Sequence, residues 1–265
     1  MLEPTPAAAE ATMDWRARGL GLRVGGHRGA SAAAPENTYA AFELAIDEGA
    51  LYTETDIRVT SDGELVLLHD PSLDRTTDAR GPVSQVPLAD LRRIDAGSWY
   101  GDAFRGQRIP ELADFLGWVE DRAPFGAALE VKARGIGARV AESAWASSAR
   151  DSLCIYAFEA AEIEAAKAVK PDLPCILLLH LTDNPGAVLS RIDACGADGA
   201  DVPWQWNAHD LVREMHERGM LVGGGSSDGG DAAAPLLDLG VDIIDTDGPA
   251  AMISAIKALG GSSGT

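Results

Sequence analysis

Cysteine is scarce in this 265-residue chain: Cys154, Cys175 and Cys195 are the only three. An odd number with no Cys-x-x-Cys spacing argues against a disulfide framework or a thiolate metal site, and the apolar or small-residue setting of each predicts a reduced packing role. Cations are few as well, with 22 Lys and Arg against 41 Asp and Glu, a formal net charge of -19. Such a field repels a phosphate backbone or an anionic membrane surface, which argues against nucleic acid and stable membrane association as partners. It also opposes a small anionic substrate, so a phosphoryl site would need a metal ion or local cations to invert the sign. Long apolar runs are missing. No stretch reaches membrane-spanning length, and residues 1–21, rich in Ala and charge, lack the continuous apolar run of a signal peptide. A cytoplasmic location is expected; no repeat is visible, and nothing speaks to the oligomeric state.

Hydrophobic residues make up 46% of the chain, enough for a sizeable core. From Leu22 onward, short apolar runs alternate with longer helix-period stretches, the pattern of βα units around a parallel sheet. Strands are expected over 22–26, 52–59, 127–132, 153–156, 175–179, 199–202, 220–223 and 241–246. Helices are expected over 37–48, 112–121, 138–148, 160–169, 185–195, 209–218, 232–239 and 250–259. Eight such units in one chain of this size predict a single (β/α)8 barrel over 22–259, with 1–21 as an N-terminal extension and 260–265 as a disordered tail. Asp62-Gly63 predicts a hairpin that turns the second strand back through 64–68. Residues 70–110 carry no clean period and read as a small insertion over the active face.

Gly26-His27-Arg28-Gly29 follows the first strand, where a barrel presents its catalytic face, and the flanking glycines allow close backbone approach. Pro35-Glu36-Asn37-Thr38 reads as an ordinary helix start, with Asn or Thr as cap and Glu36 and Asn37 in support. Glu54 and Asp56, two apart on the second strand, share one face, and Glu130 would sit beside them on the next strand. Three convergent carboxylates without sulfur or clustered imidazoles suit one hard divalent cation, Mg2+ or Ca2+, with Mn2+ also suitable. Lys132 supplies a charge for a phosphate oxygen. His69, ending the run Val66-Leu67-Leu68, joins His27 as a candidate for proton transfer. His209 reads as a helix-start residue, His216 as a surface one, and His180 stays open.

Taken in order, these motifs resemble the glycerophosphodiester phosphodiesterase family. His27-Arg28-Gly29, Pro35-Glu36-Asn37-Thr38, Glu54-x-Asp56, Thr60-x-Asp62-Gly63, His69-Asp70, Leu73-x-Arg75-Thr76-Thr77, Ile109-Pro110, Glu130-x-Lys132 and Thr246-Asp247-x-Pro249 all match, from about Gly25 to Pro249. The resemblance implies a metal held by Glu54, Asp56 and Glu130, acid and base roles for His27 and His69, and a phosphate gripped by Arg28 and Lys132. It implies a small phosphodiester substrate, hydrolysed to an alcohol and a phosphomonoester such as glycerol 3-phosphate. A phospholipase-D-like lyase that stops at a cyclic phosphate, or a barrel that binds without turnover, are the alternatives.

The departures lie on one side of the barrel. Ala157-Phe158 stands where the family usually has Ser-Phe, and Gly223, Gly224 and Gly225 stand where it ends a strand in Trp. Trp204 and Trp206, after the sixth strand, are candidates for a replacement substrate wall, which would favour an alcohol shaped differently from that of glycerophosphocholine. Packing against the following helix accounts for them equally well.

Overall fold

The computed structural model describes residues 13–15, 22–226 and 230–260. Among these, nine strands form one sheet: β1 Arg23–His27, β2 Tyr52–Val59, β3 Leu65–Leu67, β4 Gly126–Val131, β5 Leu153–Ala157, β6 Cys175–Leu178, β7 Gly199–Asp201, β8 Leu221–Ser226 and β9 Ile243–Thr246. All neighbours pair in parallel except β3, and β1 pairs with both β2 and β9, so the other eight strands close into a barrel. The helices are α1 Tyr39–Asp47, α2 Leu88–Leu91, α3 Leu112–Glu120, α4 Gly137–Ala146, α5 Ala160–Val169, α6 Val188–Cys195, α7 His209–Glu217, α8 Ala233–Leu239 and α9 Pro249–Ala258. Apart from α2, each lies between barrel strands or after the last, and their apolar faces join the outer strand faces in one large core. Gly196 and Gly240, both at positive φ, end α6 and α8 and turn the chain into the next strand.

The hairpin forms as the Asp62-Gly63 turn predicts. Gly63 takes φ 92° and β3 pairs antiparallel with β2 outside the barrel closure, so the third barrel strand is β4. Residues beyond β3 build a small core of their own around Leu73, Val83, Leu88, Leu91 and Ile109. That segment is tied back to the loop after β1 by the Tyr100 hydroxyl, which donates to the Ala32 carbonyl at 2.6 Å.

Met13 and Trp15, within the expected N-terminal extension 1–21, pack against the barrel. Trp15 is fully buried at the N-terminal end of the barrel, edge-on to Tyr52 and Tyr156, and its indole N–H donates to the Ser152 carbonyl at 2.9 Å. Gly25 lies against the Tyr52 ring, with which a side-chain carbon would collide, so Tyr52 and the Trp15 packed on it fill the barrel base in place of a side chain at that position. The rest of 1–21, and the expected tail 260–265 beyond Gly260, lie outside the described residues.

Candidate active site

Strand alternation sends Tyr52, Glu54 and Asp56 into the barrel, and the β2–β4 register sets Glu130 directly beside Asp56. One oxygen from each of Glu54, Asp56 and Glu130 lies within 4.8 Å of the others, and all three residues are buried. Burial, then Asp56 and Glu130, push the Glu54 carboxyl well above its usual range. Burial and Asp56 raise Glu130 to about 7 against the pull of Lys132. Burial also opposes ionisation of Asp56, but Arg28, Lys132 and His69 outweigh it and hold that carboxyl below its usual value. Lys132 Nζ is 2.6 Å from Glu130 Oε1 and 3.3 Å from Asp56 Oδ1, and Arg28 Nε is 3.1 Å from Asp56 Oδ2. Glu54 Oε1 remains buried without a hydrogen-bond partner. Asp56 Oδ1 and Glu130 Oε1 likewise lack one and meet the Lys132 ammonium instead, so three converging carboxylates, each with such an oxygen, fit a hard divalent cation.

Two residues with unusual backbone geometry hold this cluster. Arg28 takes φ 59°, which turns its N–H onto Glu54 Oε2 at 3.1 Å while its guanidinium reaches Glu36 and Asp56. Asn37 takes φ 56°, a conformation that Asn tolerates better than most residues. It corrects the capping expectation: its amide accepts from Thr55 Oγ1 at 2.6 Å and the Asp56 N–H at 3.2 Å, and donates to Asp56 Oδ2 at 2.7 Å. Thr38, at the N-cap of α1, makes no cap bond and donates to the Pro35 carbonyl instead.

Each candidate histidine sits on a carboxylate. His27 Nδ1 is 2.6 Å from Asp247 Oδ1, which leaves Nε2 facing the cluster, 4.0 Å from Glu54 Oε2. His69 Nδ1 is 2.7 Å from Asp70 Oδ1. Arg75 grips Asp70 through Nε and Nη2 and Glu36 through Nη1 and Nη2, so one guanidinium links the first βα loop to the insertion. A carboxylate acceptor places the proton on Nδ1 and leaves each Nε2 free to take or give one. Burial lowers the His69 pKa despite Asp56 and Asp70, which favours its neutral form.

These groups line a cavity of about 260 Å³ at the C-terminal end of the barrel, together with Tyr156, Phe158, Leu178, Asp201, Gly225 and Asp245. His27, Arg28, Glu54, His69, Glu130 and Lys132 are brought together there, with Asp56 beneath them. Trp204 and Trp206 are not among the cavity's walls. They form a short 3-10 turn packed on the outer core, with the Trp206 indole N–H donating to the Leu181 carbonyl. The aromatic wall is Phe158, stacked on His180 at 4.3 Å between centroids and 11° between planes. His209 and His216 lie outside the site, against Asp238 and Asp242. The sequence reading missed the bracing role of Asp247 and Arg75, although both stood in quoted motifs. It also missed Tyr156, Asp201 and Asp245, which strand alternation alone would have directed inward.

A closed barrel with a carboxylate cluster, two histidine–aspartate pairs and two cations at one mouth defines a phosphoester-processing acid–base site. Residues 27–251 match the Glycerophosphoryl diester phosphodiesterase family, and the chain belongs to that family of phosphoric diester hydrolases. A glycerophosphodiester phosphodiesterase of Caldanaerobacter subterraneus subsp. tengcongensis is 30% identical over 238 residues, 87% of this chain and 96% of the relative. The crystal structure of glycerophosphodiester phosphodiesterase from Agrobacterium tumefaciens is 28% identical with a TM-score of 0.76, over 88% of this chain and 99% of that one. An Oleispira antarctica phosphodiesterase, solved in complex with the product sn-glycerol-3-phosphate, is also 28% identical, with a TM-score of 0.81 over 89% of this chain and 96% of that one.

Proposed function

We propose that this chain is a metal-dependent hydrolase of glycerophosphodiesters or close relatives, releasing an alcohol and a phosphomonoester such as glycerol 3-phosphate. The observation that carries this reading is the placement of His27 and His69, each oriented by a carboxylate, in one cavity with the Glu54, Asp56 and Glu130 cluster. Glu54, Asp56 and Glu130 would hold one divalent cation, with Mg2+ and Ca2+ ahead of Mn2+ because every donor is a carboxylate oxygen. When bound, it supplies Lewis-acid polarisation of a phosphoryl oxygen.

The chain's own residues supply the remainder. Arg28 and Lys132 present cations for the phosphate in a protein whose overall field opposes an anion. His69, kept neutral by burial, is suited to accept a proton, and His27 to return one to the departing alcohol. The relative's complex with sn-glycerol-3-phosphate supports that phosphomonoester as a product here. Among the described residues no helix is long and apolar enough to cross a membrane. The three cysteines are buried and form no disulfide among the described residues, which supports a reducing, cytoplasmic setting.

Phosphorus NMR of products tests the assignment. Turnover of a glycerophosphodiester should end at a phosphomonoester; accumulation of a cyclic phosphate would instead mark a lyase, and no turnover on any phosphodiester would mark a binding protein.

A further inference from the structure

Asp201 and Asp245 point into the barrel from β7 and β9, flanking β8, whose inward positions Gly223 and Gly225 contribute no side chain. A side-chain carbon at Gly223 would approach Asp201 Oδ2 to 3.0 Å, whereas one at Gly225 would meet open space. The glycines thus make room for one carboxylate and leave a void beside the other. Both carboxylates line the same cavity as the histidines and the acidic cluster. Asp245 is only 7% exposed, and its Oδ1 has no hydrogen-bond partner.

The remaining acids of the site each have a cation or an imidazole, Glu54 included, with His27 Nε2 at 4.0 Å. Asp56 and Glu130 have Lys132, Asp70 has Arg75 and His69, and Asp247 has His27. Among the described residues neither Asp201 nor Asp245 forms an ion pair; the Gly225 backbone steadies the first, and the Tyr52 and Tyr156 hydroxyls approach the second. Those phenols stay protonated because burial raises both, so they offer dipoles and no charge. Asp245 is buried and Asp201 partly so, and burial together with Asp201 pushes Asp245 up to about 8, so the two are ionised together only when a ligand brings positive charge.

We infer that Asp201 and Asp245 form a cation-selecting subsite that favours phosphodiesters whose alcohol carries a primary ammonium group. This rests on the phosphodiesterase reading and adds the chemistry of the alcohol. A primary ammonium brings both the charge and the N–H donors that Asp245 Oδ1 lacks; a quaternary ammonium has no donor, and a neutral polyol has no charge. Asp245 lies opposite Gly25, two residues before His27, which sets it about 7 Å toward the barrel base along the strand. A two-carbon amino alcohol esterified to a phosphate at the histidines reaches that depth. The cavity, about 260 Å³, falls below the usual range of roughly 300 to 1,000 Å³ for ligand pockets and suits a small substituent.

The test compares kcat/KM of the metal-loaded enzyme for glycerophosphoethanolamine, glycerophosphocholine and glycerophosphoglycerol, in wild type, Asp245→Asn and Asp201→Asn. Wild type should favour the ethanolamine ester at least tenfold over both others, and each variant should cut that ratio at least tenfold. Circular dichroism checks folding, and if Asp245→Asn does not fold, Asp201→Asn alone decides. Calorimetry with the non-hydrolysable pair 3-aminopropylphosphonate and 3-hydroxypropylphosphonate reads the subsite without turnover. Tighter binding of the amine by wild type, lost in the variants, supports the subsite even if no diester is cleaved, in which case the phosphodiesterase reading alone falls. Equal turnover of all three diesters by wild type, or a ratio that neither variant changes, overturns the subsite and leaves that reading standing.

Discussion

At the scale of single residues, the proposed chemistry rests on the orientation of two imidazoles. Asp247 and Asp70 each hold one Nδ1, so the opposite nitrogen of His27 and of His69 is the one presented for proton transfer. His27→Ala and His69→Ala should each lower kcat by about 100-fold or more, the usual scale for losing a positioned acid or base, with a smaller change in KM. Steady-state kinetics check this, and near-wild-type kcat in either variant removes that residue from the scheme. A second residue-scale consequence concerns Glu130, raised to about 7 from a usual 4.5 by burial and Asp56. Between those values the unfolded chain releases a proton that the folded one retains, so stability in the absence of metal should fall as pH rises from about 4.5 to 7. Glu54, raised in the same direction, adds to this slope. Thermal melts of metal-free protein across that range should show Tm declining, and Glu130→Gln should flatten the curve; a wild-type Tm that rises across the range contradicts it.

At the scale of elements, periodicity made the scaffold legible and geometry beyond periodicity did not. The strands follow the apolar runs closely, and α5 occupies the predicted span 160–169, because both element types are written as local repeats of burial. The carboxylate cluster was legible for the same reason: alternation puts Glu54 and Asp56 on one face, and a single register step adds Glu130. Asn37 was not legible, since its left-handed backbone turns what reads as a cap residue into a ligand for Asp56. Trp204 and Trp206 misled because a 3-10 turn directs them onto the outer core, while Phe158 takes the wall. Trp15 was invisible as a structural residue because the segment around it has no period. Its full burial and its bond to Ser152 make it a plug for the barrel base, and Trp15→Ala should cost about 3–5 kcal/mol. Denaturant unfolding measures this; a loss below about 1 kcal/mol would show the base closes without it.

At the scale of the whole molecule, a protein of net charge -19 binds a phosphodiester only where that charge is locally reversed. Arg28 and Lys132 begin that reversal, but both are already paired with Asp56, Glu36 or Glu130. The cluster therefore needs further positive charge, and under the proposed function a divalent cation between Glu54, Asp56 and Glu130 would provide it while relieving their mutual repulsion. The most direct measurement is phosphodiesterase activity after exhaustive chelation, followed by return of Mg2+, Ca2+ or Mn2+ one at a time. The account predicts that chelation abolishes turnover and that at least one of these ions restores it in wild type but not in Glu54→Gln. Full activity persisting in chelated protein would contradict it.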